Sequence, residues 1–171
     1  MSLRYGPGVV QWVETQLGAV YGNLAQGIGW EQNGHFVAGV VYEGYNGANI
    51  YVHIAKLRGV RLSPTFIAAM FDYPFRQLKV RRISATIADR NERSKEFARK
   101  LGGRLEGVLE DALPDGNLCI FGLLRKDAEK WLTEPYRRRL EVADGRSSQR
   151  IFRISERSRQ QSRQAASSAR A

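Results

Sequence analysis

The segment from Lys79 to Arg125 constrains the fold of this chain more than any other. Apolar residues recur in it from Val80 to Ile87, a spacing that predicts a half-buried strand. Asn91 then offers a side-chain oxygen to the first turn of a helix, and Gly102 and Gly103 end that helix. Two more apolar runs follow, separated by a Pro-Asp-Gly turn. The segment therefore predicts strand, helix, strand, turn and strand, in that order.

The residues before this segment predict one helix, three antiparallel strands and a second helix. The clearest turn signal is Asn33-Gly34, because Asn-Gly supplies the positive φ angles of a two-residue hairpin turn. Ser63-Pro64 predicts a helix cap and first turn, and Pro74 should kink or end that helix. The predicted elements are a helix from Pro7 to Val20, strands over Gly27–Gln32, His35–Tyr42 and Asn49–Ala55, and a helix from Ser63 to about Phe71.

The chain is long enough for one domain of ordinary size with an extension. It has 171 residues, of which 43% are hydrophobic, enough for a real core. Strands dominate its first half and helices alternate with strands in its second half, which predicts an α+β fold with a mixed sheet. A helix-like patch from Arg125 to Leu132 follows the last predicted strand.

The net charge of +10 is concentrated near the C-terminal end. Residues 137–171 contain ten arginines and three acidic residues, a net charge of +7. From Pro135 onward Arg, Ser, Gln and Ala dominate, so this segment has too few apolar residues to build a core of its own. We expect a domain over residues 1–134 and a basic extension over residues 135–171.

Several functional classes find no support in the sequence. No apolar run approaches the roughly 18 residues needed to cross a bilayer, and no apolar signal segment opens the chain. The single cysteine, Cys119, lies between Leu118 and Ile120 and is expected to be a core residue rather than a nucleophile. Two histidines and no Cys/His cluster predict no metal site. We expect a cytosolic protein with no membrane partner.

The C-terminal half of the predicted domain resembles a known family. Asn91 is followed by Ser94, then by Leu-Gly-Gly at 101–103 and by Glu-Gly-Val-Leu at 106–109. This pattern resembles the GNAT superfamily of N-acetyltransferases, in particular the branch of ribosomal-protein acetyltransferases and small phage-encoded members. The segment Phe71–Ile83 strengthens the likeness to the phage-encoded members. The resemblance extends from about His35 to Leu132.

The resemblance implies a fold and a reaction. In such a fold a mixed, mostly antiparallel sheet is flanked by helices, and its parallel fourth and fifth strands splay apart to admit the pantetheine arm of an acyl-coenzyme A. The implied activity is acetyl transfer from acetyl-coenzyme A to an amine, with acetyl-coenzyme A as co-substrate and an acceptor that the sequence does not name.

The resemblance also implies donor-binding residues. Backbone amides after the fourth strand and at the start of the next helix hold the donor in this family, and helix N-termini suit anions. The matching positions are Ala55, Arg58, Gly59, Arg61 and Ser63, together with Asn91 and Ser94 near the coenzyme. Arginines in this loop can pair with phosphates. The alternatives are a solvated basic loop for residues 56–63 and a plain helix N-cap for Asn91.

Three residues are candidates for catalysis. His53 lies on the strand that borders the acetyl site in the family, and histidine exchanges protons near neutral pH. Glu43 and Tyr45, before the Asn46-Gly47 turn, are second candidates for handling the amine. A hydrogen-bonded histidine and two polar residues at a hairpin end are the structural alternatives. Ala98 stands where many members of the family carry a tyrosine that acts as a general acid.

Two other functions stay open at this stage. One is a GNAT-shaped structural or adaptor protein of a virion, in which the basic tail contacts neighbouring subunits. The other makes the tail an arm for nucleic acid, since its positive charge can neutralise several phosphates. The phage likeness gives the cytoplasm of a bacterial host as the expected location, with packaging in a virion as the alternative.

Overall fold

The computed structural model describes residues 2–144. The elements, in chain order, are β1 (Ser2–Tyr5), α1 (Pro7–Leu17), β2 (Gln26–Gln32), β3 (His35–Glu43), β4 (Asn49–Lys56), α2 (Pro64–Asp72), a π-helical turn (Tyr73–Gln77), β5 (Arg82–Ala88), α3 (Glu92–Leu101), β6 (Arg104–Leu113), β7 (Gly116–Leu124), a 3₁₀-helix (Arg125–Trp131) and α4 (Glu134–Asp144). The predictions made for the tail from residue 145 onward lie outside the described residues.

The strands form one sheet of seven, in the order β1-β2-β3-β4-β5-β7-β6. Every neighbouring pair is antiparallel except β4 and β5, which run parallel. The predicted α+β architecture with a mostly antiparallel sheet flanked by helices is therefore confirmed. The four-residue strand β1 was not predicted, because it is too short to show a period.

The local signals in the sequence act as expected at most element ends. Asn33 and Gly34 have φ angles of 50° and 81° and form the turn of the β2–β3 hairpin. Helix α1 ends at Leu17, three residues before its predicted end, because Gly18 adopts the left-handed conformation that terminates a helix. Pro74 lies in the π-helical turn that follows α2, so it ends the regular helix as predicted.

The two faces of the sheet carry separate hydrophobic clusters. Helix α1 covers β2, β3 and β4 on one face, where Val9 and Val13 pack against Val41 and Ala55. The larger cluster lies on the other face under α2 and α4 and includes Phe66. Leu140 of α4 is buried in it, so packing continues past residue 134, while the division into domain and extension stays a prediction.

Helix α1 lies unusually close to the sheet. A Cβ atom added to Gly27 would lie 2.8 Å from Val9 Cβ and 3.0 Å from the Val10 backbone nitrogen, and one added to Gly39 would lie 2.7 Å from Val13 Cγ2. A Cβ on Gly29 would lie 2.9 Å from Val9 Cγ2. Three glycines on β2 and β3 thus give α1 its position, and with it the position of the loop 18–25 that follows. No helix within residues 2–144 is long and apolar enough to cross a membrane.

Candidate active site

Strands β4 and β5 pair at one end and separate at the other. Their parallel register covers only Asn49 with Arg82, Ile50 with Ile83 and Tyr51 with Ser84. Beyond this point β4 still pairs with β3 as far as Lys56, and β5 still pairs with β7 as far as Ala88. The facing edges of residues 52–56 and 85–88 therefore have no strand partner within the described chain, and a V-shaped opening separates them.

A polar network ties the strands together at the closed end of the V. The buried Ser84 hydroxyl donates to Asn49 Oδ1 at 2.8 Å and accepts from Arg82 Nη2 at 3.2 Å. Arg82 Nη2 also donates to Glu106 Oε2 at 2.5 Å, in a pair that passes over Gly122. The network links β4, β5 and β6, so it fixes the point from which the two central strands diverge.

The V opens into a cleft of about 750 Å³ between α3 and the sheet. Its walls are mainly apolar, with a smaller set of polar and charged side chains. The apolar lining includes Val52, Ile54, Phe71, Ile83, Ala85, Ile87, Phe97, Leu101 and Phe121. A cleft of this size with apolar walls and a few convergent polar groups is typical of a small-molecule site.

One end of the cleft, the basic mouth, is lined by Lys56, Arg58, Arg93 and Lys100. The Lys56 ammonium donates to the Val60 carbonyl at 2.9 Å, and Lys100 pairs with Glu96 at 2.6 Å. Arg58 and Arg93 are exposed, and neither forms an ion pair within residues 2–144. Two guanidinium groups at the mouth are thus available for an anion.

The N-terminus of α3 also opens onto this mouth. Asn91 is its N-cap, and its Oδ1 accepts from the Ser94 backbone N–H at 3.0 Å, so the predicted N-cap role is seen. Both residues line the cleft. The positive end of a helix dipole beside two arginines favours a phosphate or pyrophosphate.

A buried lysine on α3 pairs with two exposed carboxylates at the start of the helix. Lys95 is only 8% exposed and donates to Asp89 Oδ1 at 2.7 Å and to Glu92 Oε1 at 2.7 Å. The hydrogen bond from Lys95 lowers the pKa of Asp89, and the bond to Asp89 raises the pKa of Lys95. Cys119 is buried and its thiol donates to Asp89 Oδ1 at 3.3 Å; burial raises its pKa, which favours the thiol over the nucleophilic thiolate.

The second polar region, the dyad end, is centred on His53, which lines the cleft. Glu43 and Tyr21 contact His53, and Glu14 contacts Tyr21. His53 Nε2 lies 2.8 Å from Glu43 Oε1, and because a carboxylate only accepts, the imidazole proton lies on Nε2. In this tautomer Nδ1 is the acceptor nitrogen of the ring. Val41 faces His53 across β3 and β4, so Glu43 and His53 are diagonal neighbours on one face of the sheet.

Tyr21, in the loop after α1, covers the His53 ring. The two ring centroids are 4.6 Å apart, and the Tyr21 backbone N–H donates to Glu14 Oε1 at 2.8 Å. Burial raises the pKa of Tyr21 to about 12, with the Glu43 and Glu14 carboxylates adding to the shift. Tyr21 therefore stays a neutral phenol between two carboxylates, and neither carboxylate pairs with a lysine or arginine within residues 2–144.

The structure brings together most of the residues predicted from the sequence. His53, Ala55, Arg58, Asn91 and Ser94 line the one cleft, and Glu43 joins it through His53. The remaining four candidates are not among its lining residues: Gly59, Arg61, Ser63 and Tyr45. The assignment of each residue to catalysis or donor binding stays a prediction.

Two of these four have other contacts. Ser63 is the N-cap of α2, where its Oγ accepts from the Phe66 N–H at 3.0 Å. The Tyr45 hydroxyl donates to the Leu78 carbonyl at 3.4 Å, and its ring packs on the larger hydrophobic cluster.

Ala98, which stands where many members of the family carry a tyrosine, lies next to Gly103 on the wall of the cleft. A Cβ on Gly103 would lie 2.9 Å from the Ala98 carbonyl oxygen, so a side chain there requires the end of α3 to move. Residue 103 is therefore a glycine where the chain passes close to the C-terminal end of α3.

Comparison with solved structures places this arrangement among known folds. A mutant form of the spermidine/spermine N-acetyltransferase SpeG from Vibrio cholerae superposes with a TM-score of 0.63 at 15% identity, covering 75% of this chain and 97% of that chain. A GNAT-family acetyltransferase from Bacillus anthracis gives a TM-score of 0.52 at 18% identity, covering 68% and 72%. The chain has the GNAT acetyltransferase fold. No family model and no curated protein matches its sequence.

Within the GNAT fold, β4 and β5 are the splayed pair that the sequence resemblance implied, so that expectation about the fold is confirmed. Tyr21, Glu14 and Arg93 were not found from the sequence. Tyr21 fell just beyond a helix predicted to reach Val20, and nothing in its local pattern indicates contact with a residue 32 positions later. Only the fold brings them to the cleft.

Proposed function

We propose that this protein is an acyl-coenzyme A dependent N-acyltransferase that transfers an acetyl group from acetyl-coenzyme A to an amine. The observation that carries the proposal is the separation of β4 and β5 after three paired residues, with a cleft that is basic at one end and carries a Glu–His pair at the other. The likeness to solved acetyltransferases supports it.

The basic mouth suits the phosphates of the donor. Arg58 and Arg93 supply charge-assisted hydrogen bonds, and the α3 N-terminus adds backbone amides. The pantetheine arm carries two amide groups, and the unpaired edges of residues 52–56 and 85–88 offer backbone donors and acceptors to such a chain, as an added strand does in a sheet. The donor supplies the activated acyl group.

The dyad end suits the acceptor. As the amine nitrogen bonds to the thioester carbonyl carbon and the carbon–sulfur bond breaks, the nitrogen must lose a proton, and His53 Nδ1 accepts it. Glu43 holds the ring through Nε2–H and stabilises the imidazolium that results. The sulfur leaves as a thiolate. The carboxylates of Glu14 and Glu43 favour a cationic acceptor, and amines that carry a second positive charge are the first class to test.

Calorimetric titration with acetyl-coenzyme A tests the donor half of the proposal. We expect saturable 1:1 binding by the wild type and loss of that binding in Ala98→Trp, because an indole there fills the cleft. Ala112→Trp is the matched control, since Ala112 is exposed on β6 away from the cleft. Absence of binding by the folded wild type overturns the proposal. A panel of mono- and polyamines, followed by release of free coenzyme A thiol, then identifies the acceptor.

The phage-like part of the resemblance extends the proposal to a phage or prophage enzyme acting in the cytoplasm of a bacterial host. The alternative of a virion structural protein, or of a nucleic-acid arm, depends on the basic tail beyond residue 144. Detection of the protein in purified phage particles would favour that alternative.

A further inference from the structure

Glu14, in the last turn of helix α1, accepts three N–H groups from the loop that follows the helix. The backbone N–H groups of Gly18 and Ala19 donate to its carbonyl oxygen, the latter at 3.2 Å. The backbone N–H of Tyr21 donates to its side-chain Oε1 at 2.8 Å. One residue of α1 thus fixes both the start and the middle of the loop 18–25.

The carboxylate of Glu14 lies where a helix does not favour it. The C-terminal turn carries the negative end of the helix dipole, so an acidic side chain there is less favourable than a neutral or basic one. No basic residue accompanies Glu14 in the last turn of α1. The stability of the helix therefore does not account for this carboxylate, whereas the hydrogen bond that it accepts from Tyr21 does.

Tyr21 carries this restraint to His53. Its ring lies against the imidazole, with the ring centroids 4.6 Å apart and an angle of 33° between the planes. The Glu43 carboxylate holds the same imidazole at Nε2, at 2.8 Å. A single hydrogen bond leaves the imidazole able to rock about the line of that bond, and a second ring packed against its face opposes this motion. The two contacts together hold His53 in one orientation.

The same ring contact favours the protonated histidine. The face of an aromatic ring attracts a cation that lies within about 6 Å of its centroid. When His53 accepts the proton of the amine, its imidazolium lies within this distance of the Tyr21 ring. Tyr21 therefore supports both the orientation of His53 and the charge that His53 gains in the reaction.

We propose that Glu14 and Tyr21 are positioning residues for His53. Glu14 fixes the loop after α1 through the Tyr21 N–H, and the Tyr21 ring keeps the imidazole in the orientation that Glu43 also sets. The inference rests on the proposed function for one point, the role of His53 as proton acceptor. The restraint on His53 is measurable without turnover, so the failure of one proposal is distinguishable from the failure of the other.

Labelling of the full-length protein with diethyl pyrocarbonate, followed by mass mapping of its peptides, measures the restraint. His35 is the internal reference, because it is exposed on β3 and the chain has no third histidine. In the wild type, His53 should react more slowly than His35. Glu14→Ala should raise the reactivity of His53 relative to His35 at least about fivefold, because the loop loses a charge-assisted hydrogen bond.

Two variants control this measurement. Glu14→Gln keeps a side-chain oxygen for the Tyr21 N–H, so most of the protection of His53 should remain. Thr15→Ala changes the next residue of α1 and removes its hydrogen bond to the Gln11 carbonyl, at 2.9 Å, so it reveals any general loosening of the helix. Circular dichroism confirms that each variant is folded.

Turnover tests the consequence for the reaction. Tyr21→Ala should lower kcat by about 10- to 100-fold, because a misplaced base removes the proton slowly, and should change the Kd for acetyl-coenzyme A less than about twofold. Tyr21→Phe keeps the ring and should restore most of the rate lost in Tyr21→Ala. A residue that only packs on the hydrophobic cluster around Val9 would change the melting temperature without separating kcat from donor binding.

Three results overturn the positioning roles. The first is a folded wild type in which His53 reacts as fast as His35. The second is a Glu14→Ala variant in which the relative reactivity of His53 is the same as in Thr15→Ala. The third is a normal kcat in Tyr21→Ala. A wild type that binds no acetyl-coenzyme A overturns the proposed function instead, and the labelling ratios then decide the restraint on His53 by themselves.

Discussion

At the basic mouth, the charged groups come from the end of β4, the loop after it and helix α3, whereas at the dyad end they come from α1, the loop after it, β3 and β4. The arginines of the mouth are exposed and project from the surface. The His53 side chain is only 19% exposed, because Glu43 bonds to its Nε2 and the Tyr21 ring packs against it. Substitution should therefore cause graded loss of affinity at the mouth and abrupt loss of rate at the dyad end.

The largest expected effect is at the dyad end. His53→Ala should lower the rate of acetyl transfer by about 10²- to 10⁴-fold, because the amine loses its proton acceptor. Its affinity for acetyl-coenzyme A should change less than about twofold, since the donor is held at the other end. The control is His35→Ala, at an exposed position on β3 away from the cleft. A normal rate with weakened donor binding would reverse the assigned roles of the two ends.

A second test moves α1 by a substitution at Gly27, which does not line the cleft. Gly27→Ala should destabilise the protein by about 1–3 kcal/mol in urea unfolding, because the new methyl group overlaps Val9 and the backbone of α1. At temperatures where it stays folded, this variant should lose acetyl transfer more than donor binding, since α1 carries the loop that places Tyr21 on His53. Gly8→Ala is the control, as a Cβ at Gly8 meets no atom within 4 Å. An equal loss of acetyl transfer and of donor binding would show that the two ends of the cleft do not act independently.

At the basic mouth we expect smaller, additive losses. Arg58→Ala and Arg93→Ala should each weaken acetyl-coenzyme A binding by roughly 3- to 10-fold with little change in kcat, because each removes one exposed charged contact to a phosphate. Arg61→Ala provides the comparison within the same loop, since Arg61 was predicted to bind the donor and yet is not among the lining residues. Should Arg61→Ala weaken binding as much as Arg58→Ala, the loop changes its conformation around the donor.

The smallest expected effect concerns the pairing of Lys95 with Asp89 at the start of α3. The Lys95 hydrogen bond lowers the pKa of Asp89, so its stabilising contribution is present above the usual carboxylate pKa and is lost as the pH falls through the lowered value. In Asp89→Asn, melting temperature should therefore be lower near neutral pH, by a few degrees at most, and should fall less steeply on acidification. Asp111→Asn serves as the control, an exposed carboxylate without an ion pair in residues 2–144. Parallel melting curves for Asp89→Asn and the wild type would contradict the expectation.

The sequence predicted the parts of this fold that depend on short-range chemistry. The turn at Asn33-Gly34 and the helix caps at Ser63 and Asn91 involve only neighbours within four residues. They could therefore be predicted from the local sequence. The same holds for the end of α2 near Pro74. Asn91 and Ser94 were predicted to lie near the coenzyme because they belong to the family pattern, and both line the cleft.

The contacts that complete the site join residues far apart in the chain, and no local sequence pattern predicts them. Tyr21 meets His53, and Ser84 meets Asn49 across 35 positions of sequence. Their side chains meet only because α1 lies close to the sheet and β4 pairs with β5. Tyr45 lies two residues from Glu43, yet its hydroxyl donates to the Leu78 carbonyl and it does not line the cleft, so its catalytic role stays a prediction.

The short parallel pairing of β4 with β5 has a consequence for the order of events in a catalytic cycle. A bound pantetheine arm would lie between β4 and β5, where the sheet lacks hydrogen bonds. The donor would then hydrogen-bond to both strand edges for as long as it stays bound. Amide hydrogen exchange in residues 52–55 and 85–88 should then slow on donor binding and quicken on release of coenzyme A. The backbone edges of β4 and β5 would thus be paired and unpaired once in each turnover, while the Asn49–Ser84–Arg82–Glu106 network keeps the two halves of the sheet joined.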